Sequence, residues 1–233
     1  MSQLSPTQAD TIYPDSDGNS MADNTEQFQW IVVIKENLEL LFANLPDVFV
    51  AGDLLWYPIE GNAKIRTAPD AMVVFGRPKG RRGSYQQWRE DGIAPQVVFE
   101  VLSPGNRKAE MERKLLFYDR YGVAEYYTYD PDSNELEGWL RSDGYLDVLT
   151  VMNNWVSPRL GIRFVPSDDT LQILRPDGKP FLTFVELGQR LEQEQQRAEA
   201  EQQRAEAERQ RAETLEDLLQ RYRDRFGELP EQP

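Results

Sequence analysis

The chain has 233 residues, 39% hydrophobic and 28% charged, with a net charge of −14; that is enough for one well-filled core plus appendages. It contains no histidine and no cysteine, which excludes Ser–His and Cys–His nucleophilic catalysis and disulfides, and leaves ordinary zinc sites without their usual ligands. Hydrolytic chemistry in this chain must rest on carboxylates, lysine, tyrosine or a carboxylate-bound metal.

Residues 1–24 are rich in Ser, Asp, Asn and Gln, with little to bury, and predict a disordered segment. Residues 1–28 lack the basic and apolar regions of a signal peptide, and no apolar stretch approaches a membrane span. The expectation is a soluble, cytoplasmic protein with no membrane contact; the lack of cysteine fits a reducing interior. Trp30, Val33, Ile34, Leu38 and Leu41 recur at spacings of three and four, which predicts a helix that Asn44-Leu45-Pro46-Asp47 stops. Glu36 and Glu39 lie on this helix, off the apolar stripe.

Strand character begins at Val48. Residues 48–51 and 54–57 flank Gly52-Asp53 and read as one or two strands. Residues 72–75 and 97–102 are short, apolar and rich in β-branched types, as buried strands are. The basic, glycine-containing stretch 76–93 between them reads as a long loop, a kind that is usually functional or mobile. Asn106 predicts the N-cap of a helix running to Tyr121, with Gly122 as its stop. Met111, Leu115 and Tyr118 would face the core, with Lys114 at the edge of that stripe. Residues 125–130 and 136–140 predict a hairpin across Asp130-Pro131-Asp132-Ser133-Asn134, and short strands follow at 146–151 and 171–174. This order implies an α/β domain over residues 25–187, a mixed central sheet flanked by helices.

The C-terminal segment is a repeat. Residues 194–200 (EQQRAEA) recur at 201–207 and, degraded, at 208–214. Arg197–Glu201 and Arg204–Glu208 are i,i+4 pairs, each worth a few tenths of a kcal/mol, and a ladder of them on good helix formers predicts a long solvated helix over 188–226. Residues 227–233 read as a disordered tail. The period of seven suggests a coiled coil, yet alanine is almost the only apolar seam residue before Leu215, Leu218 and Leu219. A single exposed helix and a weak homodimer or partner helix both remain open.

The acidity is uneven. Residues 1–28 hold five acids and no base, and residues 189–233 hold twelve acids and eight bases, which leaves −5 on 29–188. Within that middle, Arg77, Lys79, Arg81, Arg82 and Arg89 form a run uninterrupted by any acid. It is either a solvated loop or a loop that contacts phosphate.

Asp70 stands in a Pro-Asp step that runs into the apolar segment 71–75, Glu100 closes the run from Pro95, and Lys114 follows inside a helical pattern. Two carboxylates on neighbouring strands can hold Mg²⁺, which wants hard oxygen ligands and keeps several waters. A nearby lysine can steady the attacking water or developing charge on a phosphate. Each residue has an ordinary reading too: Asp70 as a turn cap, Glu100 as an arginine partner, Lys114 as a surface lysine. Ser103, with no histidine base, reads as a turn or capping residue rather than a nucleophile.

Residues 50–164, carrying Ala68-Pro69-Asp70, Val98-Phe99-Glu100-Val101-Leu102-Ser103-Pro104, Lys114, Tyr121-Gly122-Val123-Ala124-Glu125-Tyr126-Tyr127 and Asp130-Pro131, resemble the Uma2 family. These are restriction-endonuclease-like proteins abundant in cyanobacteria, within the PD-(D/E)XK nuclease superfamily. The resemblance implies a restriction-endonuclease-like core and Mg²⁺-dependent hydrolysis of DNA, with Mn²⁺ as a substitute. It implies Asp70 and Glu100 as metal ligands and Lys114 as the catalytic cation, and it leaves Glu36 or Glu39 as a further acid. Arg77, Lys79, Arg81 and Arg82 would then hold the DNA backbone. One departure is plain: the superfamily pattern places lysine two residues after Glu100, where this chain has Leu102, so the resemblance implies that the lysine has moved to the following helix. The reading from another class is a catalytically silent binding or assembly module that recruits a partner through the C-terminal helix.

Overall fold

The computed structural model describes residues 11–227, apart from 17, 19, 106 and 107. Asn24 caps helix α1 (Thr25–Leu41), its side chain accepting from the Gln27 N–H at 2.8 Å. The helix therefore starts before the apolar periodicity does, because polar Thr25, Glu26 and Gln27 form its first turn. Its buried face is Gln27, Ile31, Ile34 and Leu38, one step round from the stripe that includes Val33.

Six strands form the main sheet: β1 (Val48–Ala51), β3 (Ala71–Phe75), β5 (Val97–Val101), β6 (Glu125–Asp130), β7 (Glu135–Ser142) and β8 (Tyr145–Val148), in the order β1-β3-β5-β6-β7-β8. Only β5 and β6 run parallel within it, joined by helix α2 (Lys108–Arg120); the other neighbours are antiparallel. The β6–β7 hairpin occurs as expected. The N-cap expected at Asn106 lies outside the described residues. Gly122 has φ +91°, the left-handed geometry that ends a helix and suits glycine.

Alternation along the strands sends side chains to two cores. Val97, Phe99, Val101 and Tyr127 pack with Ile31, Ile34 and Leu38 of α1 and with the hairpin β9 (Arg163–Pro166)–β10 (Leu171–Leu174). Val98, Met72, Val74 and Tyr126 pack with Tyr118 of α2 and with Trp56 and Tyr85. All five residues of β5 are buried, which explains its unbroken apolar run around Glu100.

Two expectations change. The stretch 76–93 is folded: β4 (Tyr85–Gln86) pairs in parallel with β2 (Trp56–Tyr57), a 3-10 turn spans Gln87–Arg89, and the Tyr85 hydroxyl donates to the Ile93 carbonyl at 2.7 Å. Within the segment expected to be disordered, Tyr13 packs on Tyr57 and Trp88, and the Pro14 carbonyl accepts from the Tyr57 hydroxyl at 2.7 Å. Aromatic burial supplies a free-energy gain that the polar composition hides.

The chain divides into two compact units, residues 1–183 and 184–233. The second is helix α3 (Phe184–Phe226), 43 residues with none buried, beginning four residues before the repeat pattern alone suggests. No helix among the described residues is long and apolar enough to cross a membrane.

Candidate active site

The register Ala71↔Phe99 continues to set Asp70 opposite Glu100, on the sheet face that α2 covers. Asp70 is fixed by its neighbour strand: its Oδ2 accepts the Val101 N–H at 2.6 Å. Glu100 is 2% exposed and its two oxygens are held separately, Oε2 by Lys114 Nζ at 2.7 Å and Oε1 by the Tyr118 hydroxyl. Lys114 and Tyr118 are four residues apart, so one face of α2 presents both donors. Thr67, just before the Pro-Asp step, hydrogen-bonds the Tyr118 hydroxyl in turn.

The electrostatics follow from crowding like charges in a buried place. Burial, then Glu100 beside it, pushes the Asp70 carboxyl well above the usual range, against the opposing pull of Lys114 and the Val101 N–H. The two carboxyls are within hydrogen-bonding reach of one another. Burial works against the Lys114 ammonium, but Glu100 and Asp70 outweigh it and raise its pKa above the ordinary value. Burial and Glu100 likewise push the Tyr118 phenol well up, so it stays a donor. The Tyr126 hydroxyl is buried without a hydrogen-bond partner among the described residues, and burial, Glu100 and Asp70 raise its pKa.

Asp70 and Lys114 line a cavity of about 870 Å³. Its other walls come from residues 20–23, Gln27, Asp53, Leu55, Lys64, residues 66–68, Gly105 and Glu110. The Ser103 hydroxyl donates to Asp23, one of these wall residues, at 2.6 Å.

The structure thus gathers Asp70, Glu100 and Lys114. It does not bring the remaining candidates to them. Glu36 is exposed and pairs with Lys35, and Glu39 accepts from Lys79 at 2.7 Å. Arg77 is held by Glu90 and Asp91, and Arg82 by Glu90 at 2.6 Å while its guanidinium lies over the Phe49 ring. Arg81 is exposed, and none of these basic residues lines the cavity. A run free of acids in sequence meets its acids in space, because Glu90 and Asp91 fold back on it from just beyond its end. The clamp on Glu100 from Tyr118 was missed: Tyr118 fits the apolar stripe and reads as core, and the available signal was its place one helical turn after Lys114. Lys64, Arg66 and Thr67 were missed also; their signal is two bases in the few residues before Asp70.

A mixed α/β sheet flanked by helices is the fold expected of a restriction-endonuclease-like protein; the lysine beside the two acids comes from the crossover helix, not from the strand. The Uma2 family model, described as "Putative restriction endonuclease", matches residues 22–172. The chain belongs to that family. A solved structure from Anabaena variabilis, described as a "putative nuclease belonging to DUF820", is similar at 14% identity over 58% of this chain and 72% of that one, with a TM-score of 0.44; at that level the likeness adds nothing to the site. No curated protein matches the chain.

Proposed function

We propose that the chain is a metal-dependent endonuclease that hydrolyses DNA phosphodiester bonds at Asp70, Glu100 and Lys114. The observation that carries this reading is the convergence of Asp70 and Lys114 on one polar cavity, with the buried Glu100 carboxylate 2.7 Å from the Lys114 ammonium just behind its wall. Like charges forced together need either a proton or a cation, and the raised Asp70 pKa expresses that need. Among the described residues there is no group of three or more metal-ligating side chains. The donor set of Asp70 and Glu100 suits Mg²⁺, or Mn²⁺ in its stead, since Mg²⁺ uses one or two carboxylates and completes its shell with water and substrate phosphate. Asp70 and Glu100 would hold the ion, and when bound it would lower the pKa of a water and neutralise charge on the phosphate.

The protein's own groups do the rest. Val101 N–H and the Lys114–Tyr118 pair fix the two carboxylates before substrate arrives, so little reorganisation is left for the reaction. The Lys114 ammonium, kept protonated by its acids, is available to orient the attacking water and to meet negative charge developing on the phosphate. Plasmid nicking in Mg²⁺ or Mn²⁺, compared with Glu100→Gln, tests the reading. The variant should fold and lose cleavage; cleavage equal to the parent's at matched purity and metal overturns the assignment. A second reading, a silent module recruiting a partner or a second copy, is favoured by the 43 unburied residues of α3. It predicts no metal-dependent nicking by either protein.

A further inference from the structure

The cations on the cavity wall are Lys64, Arg66 and Lys114. Lys114 has a carboxylate partner in Glu100 at 2.7 Å and already serves the proposed catalytic site. Among the described residues Lys64 and Arg66 have no carboxylate at ion-pair distance, whereas Arg77, Lys79 and Arg82, outside the cavity, are each held by acids. What sets these two apart is their place: both stand on the wall of the cavity that Asp70 lines.

The loop that carries them is anchored at several points. Thr67 exchanges both backbone hydrogen bonds with Trp56, at 2.7 and 3.2 Å, and Trp56 is fully buried. The Lys64 N–H donates to Asn62 Oδ1 at 3.1 Å, the Ile65 N–H to the Asn62 carbonyl at 3.2 Å, and Arg66 Nη1 to the Ala63 carbonyl at 3.2 Å. Four residues after Arg66 the same chain reaches Asp70. One short segment therefore fixes the spacing between the two basic positions and the first acid, and the Arg66 guanidinium, held by the Ala63 carbonyl, has less ordering left to lose on binding.

We infer that Lys64 and Arg66 form an anion subsite that grips the phosphodiester backbone of the cleaved strand beside the scissile phosphate. The inference rests on the nuclease reading of the same cavity and moves the backbone contact from the Arg77–Arg82 stretch to the segment leading into Asp70. Arginine supplies planar paired donors for phosphate oxygens, and lysine a mobile point charge. Contacts of this kind position the strand without reading its bases, so the affinity they add depends on salt and not on sequence.

The test uses the full chain with Ca²⁺ in place of Mg²⁺ and follows anisotropy of a fluorescein-labelled duplex, and of its single strand, across a salt series. The Lys64→Gln/Arg66→Gln variant should flatten the slope of log affinity against log salt by about 1.8 for duplex or about 1.4 for single strand, from roughly 0.9 or 0.7 per phosphate contact. On duplex that corresponds to binding weaker by on the order of 100-fold at about 0.05 M salt and about 20-fold at about 0.2 M. Arg159→Gln/Arg163→Gln, an equal charge change at exposed positions off the cavity, should keep the parent slope. Equal flattening by both pairs, or none by the first, overturns the subsite. Nicking by the parent that Glu100→Gln abolishes stands independently, so a failed slope test beside it removes the subsite alone. A parent that binds neither duplex nor single strand removes both.

Discussion

Replacing Lys114 with methionine keeps a stem of similar length and deletes the ammonium. What it leaves behind is Glu100, 2% exposed, with Asp70 in hydrogen-bonding reach and no cation at 2.7 Å. Breaking a buried ion pair by removing one partner costs roughly 3–5 kcal/mol. Protonation sets a ceiling: a carboxylate of ordinary pKa near 4 takes up a proton at pH 7 for about 4 kcal/mol, at 1.36 kcal/mol per unit over roughly three units. The expected loss of unfolding free energy at pH 7 is therefore about 3–4 kcal/mol. Because the folded variant would carry an extra proton that the unfolded chain releases above about pH 4, its deficit should shrink by about 1.4 kcal/mol per pH unit on acidification, to near 1 kcal/mol by about pH 5. Urea unfolding followed by tryptophan fluorescence suits the measurement, since Trp30, Trp56, Trp88, Trp139 and Trp155 all precede α3. A deficit below about 1 kcal/mol at pH 7, or one that stays constant between roughly pH 5 and 7, would mean that Lys114 does not neutralise the acid pair.

Further outcomes follow from the same geometry. Asp70 has a folded pKa above its unfolded one, so without metal the folded state keeps a proton that the unfolded chain has lost, and stability should fall as pH rises from the ordinary aspartate value through the raised one. Asp70→Asn should flatten that part of a urea-midpoint profile; an unchanged profile would assign the proton elsewhere. At Gly52 an added Cβ would sit 3.2 Å from the Asp70 carbonyl oxygen and 3.2 Å from Lys35 Cγ, so Gly52→Ala should displace the Asp70 backbone by a few tenths of an ångström and lower turnover more than stability, read by parallel nicking and urea assays. Deleting residues 189–233 should lower the far-ultraviolet helical signal while moving the tryptophan-detected midpoint by less than about 10 °C; a larger drop would make the helix part of the core's stability.

What was legible in the sequence was what local pattern controls. The strands at 71–75 and 97–101 announced themselves by apolar β-branched runs, the 125–142 hairpin by alternation about a Pro-Asp turn, and α3 by its repeat. What stayed hidden depends on contacts distant in sequence. Tyr13 packs across more than forty residues onto Tyr57, and polar composition around it gives no sign of the pocket it fills. β2 and β4 are two residues each and exist because they pair with one another. The basic run at 77–89 looked free because one-dimensional charge counting stops where the chain turns, and Glu90 and Asp91 lie just past that point. Lys64 and Arg66 are the converse: two scattered bases that carry no pattern until the fold places them on the cavity wall.

The position of the lysine has a structural logic of its own. β5 is buried along its whole length because helix α1 covers one face and α2 the other. Leu102, where the superfamily pattern has lysine, still pairs with the strand beyond it, its N–H donating to the Tyr129 carbonyl at 2.8 Å. By the two-residue alternation it shares a face with Glu100, and there it is half-buried. A lysine at that point would add a second desolvated charge to a strand already carrying Glu100. Lys114, on α2, keeps its Cα on a partly exposed helix and extends its ammonium to Glu100 at 2.7 Å. The same helix turn brings Tyr118, which leaves each Glu100 oxygen with its own donor. Buried carboxylates persist where every lone pair that faces protein is answered, and here one face of α2 answers both.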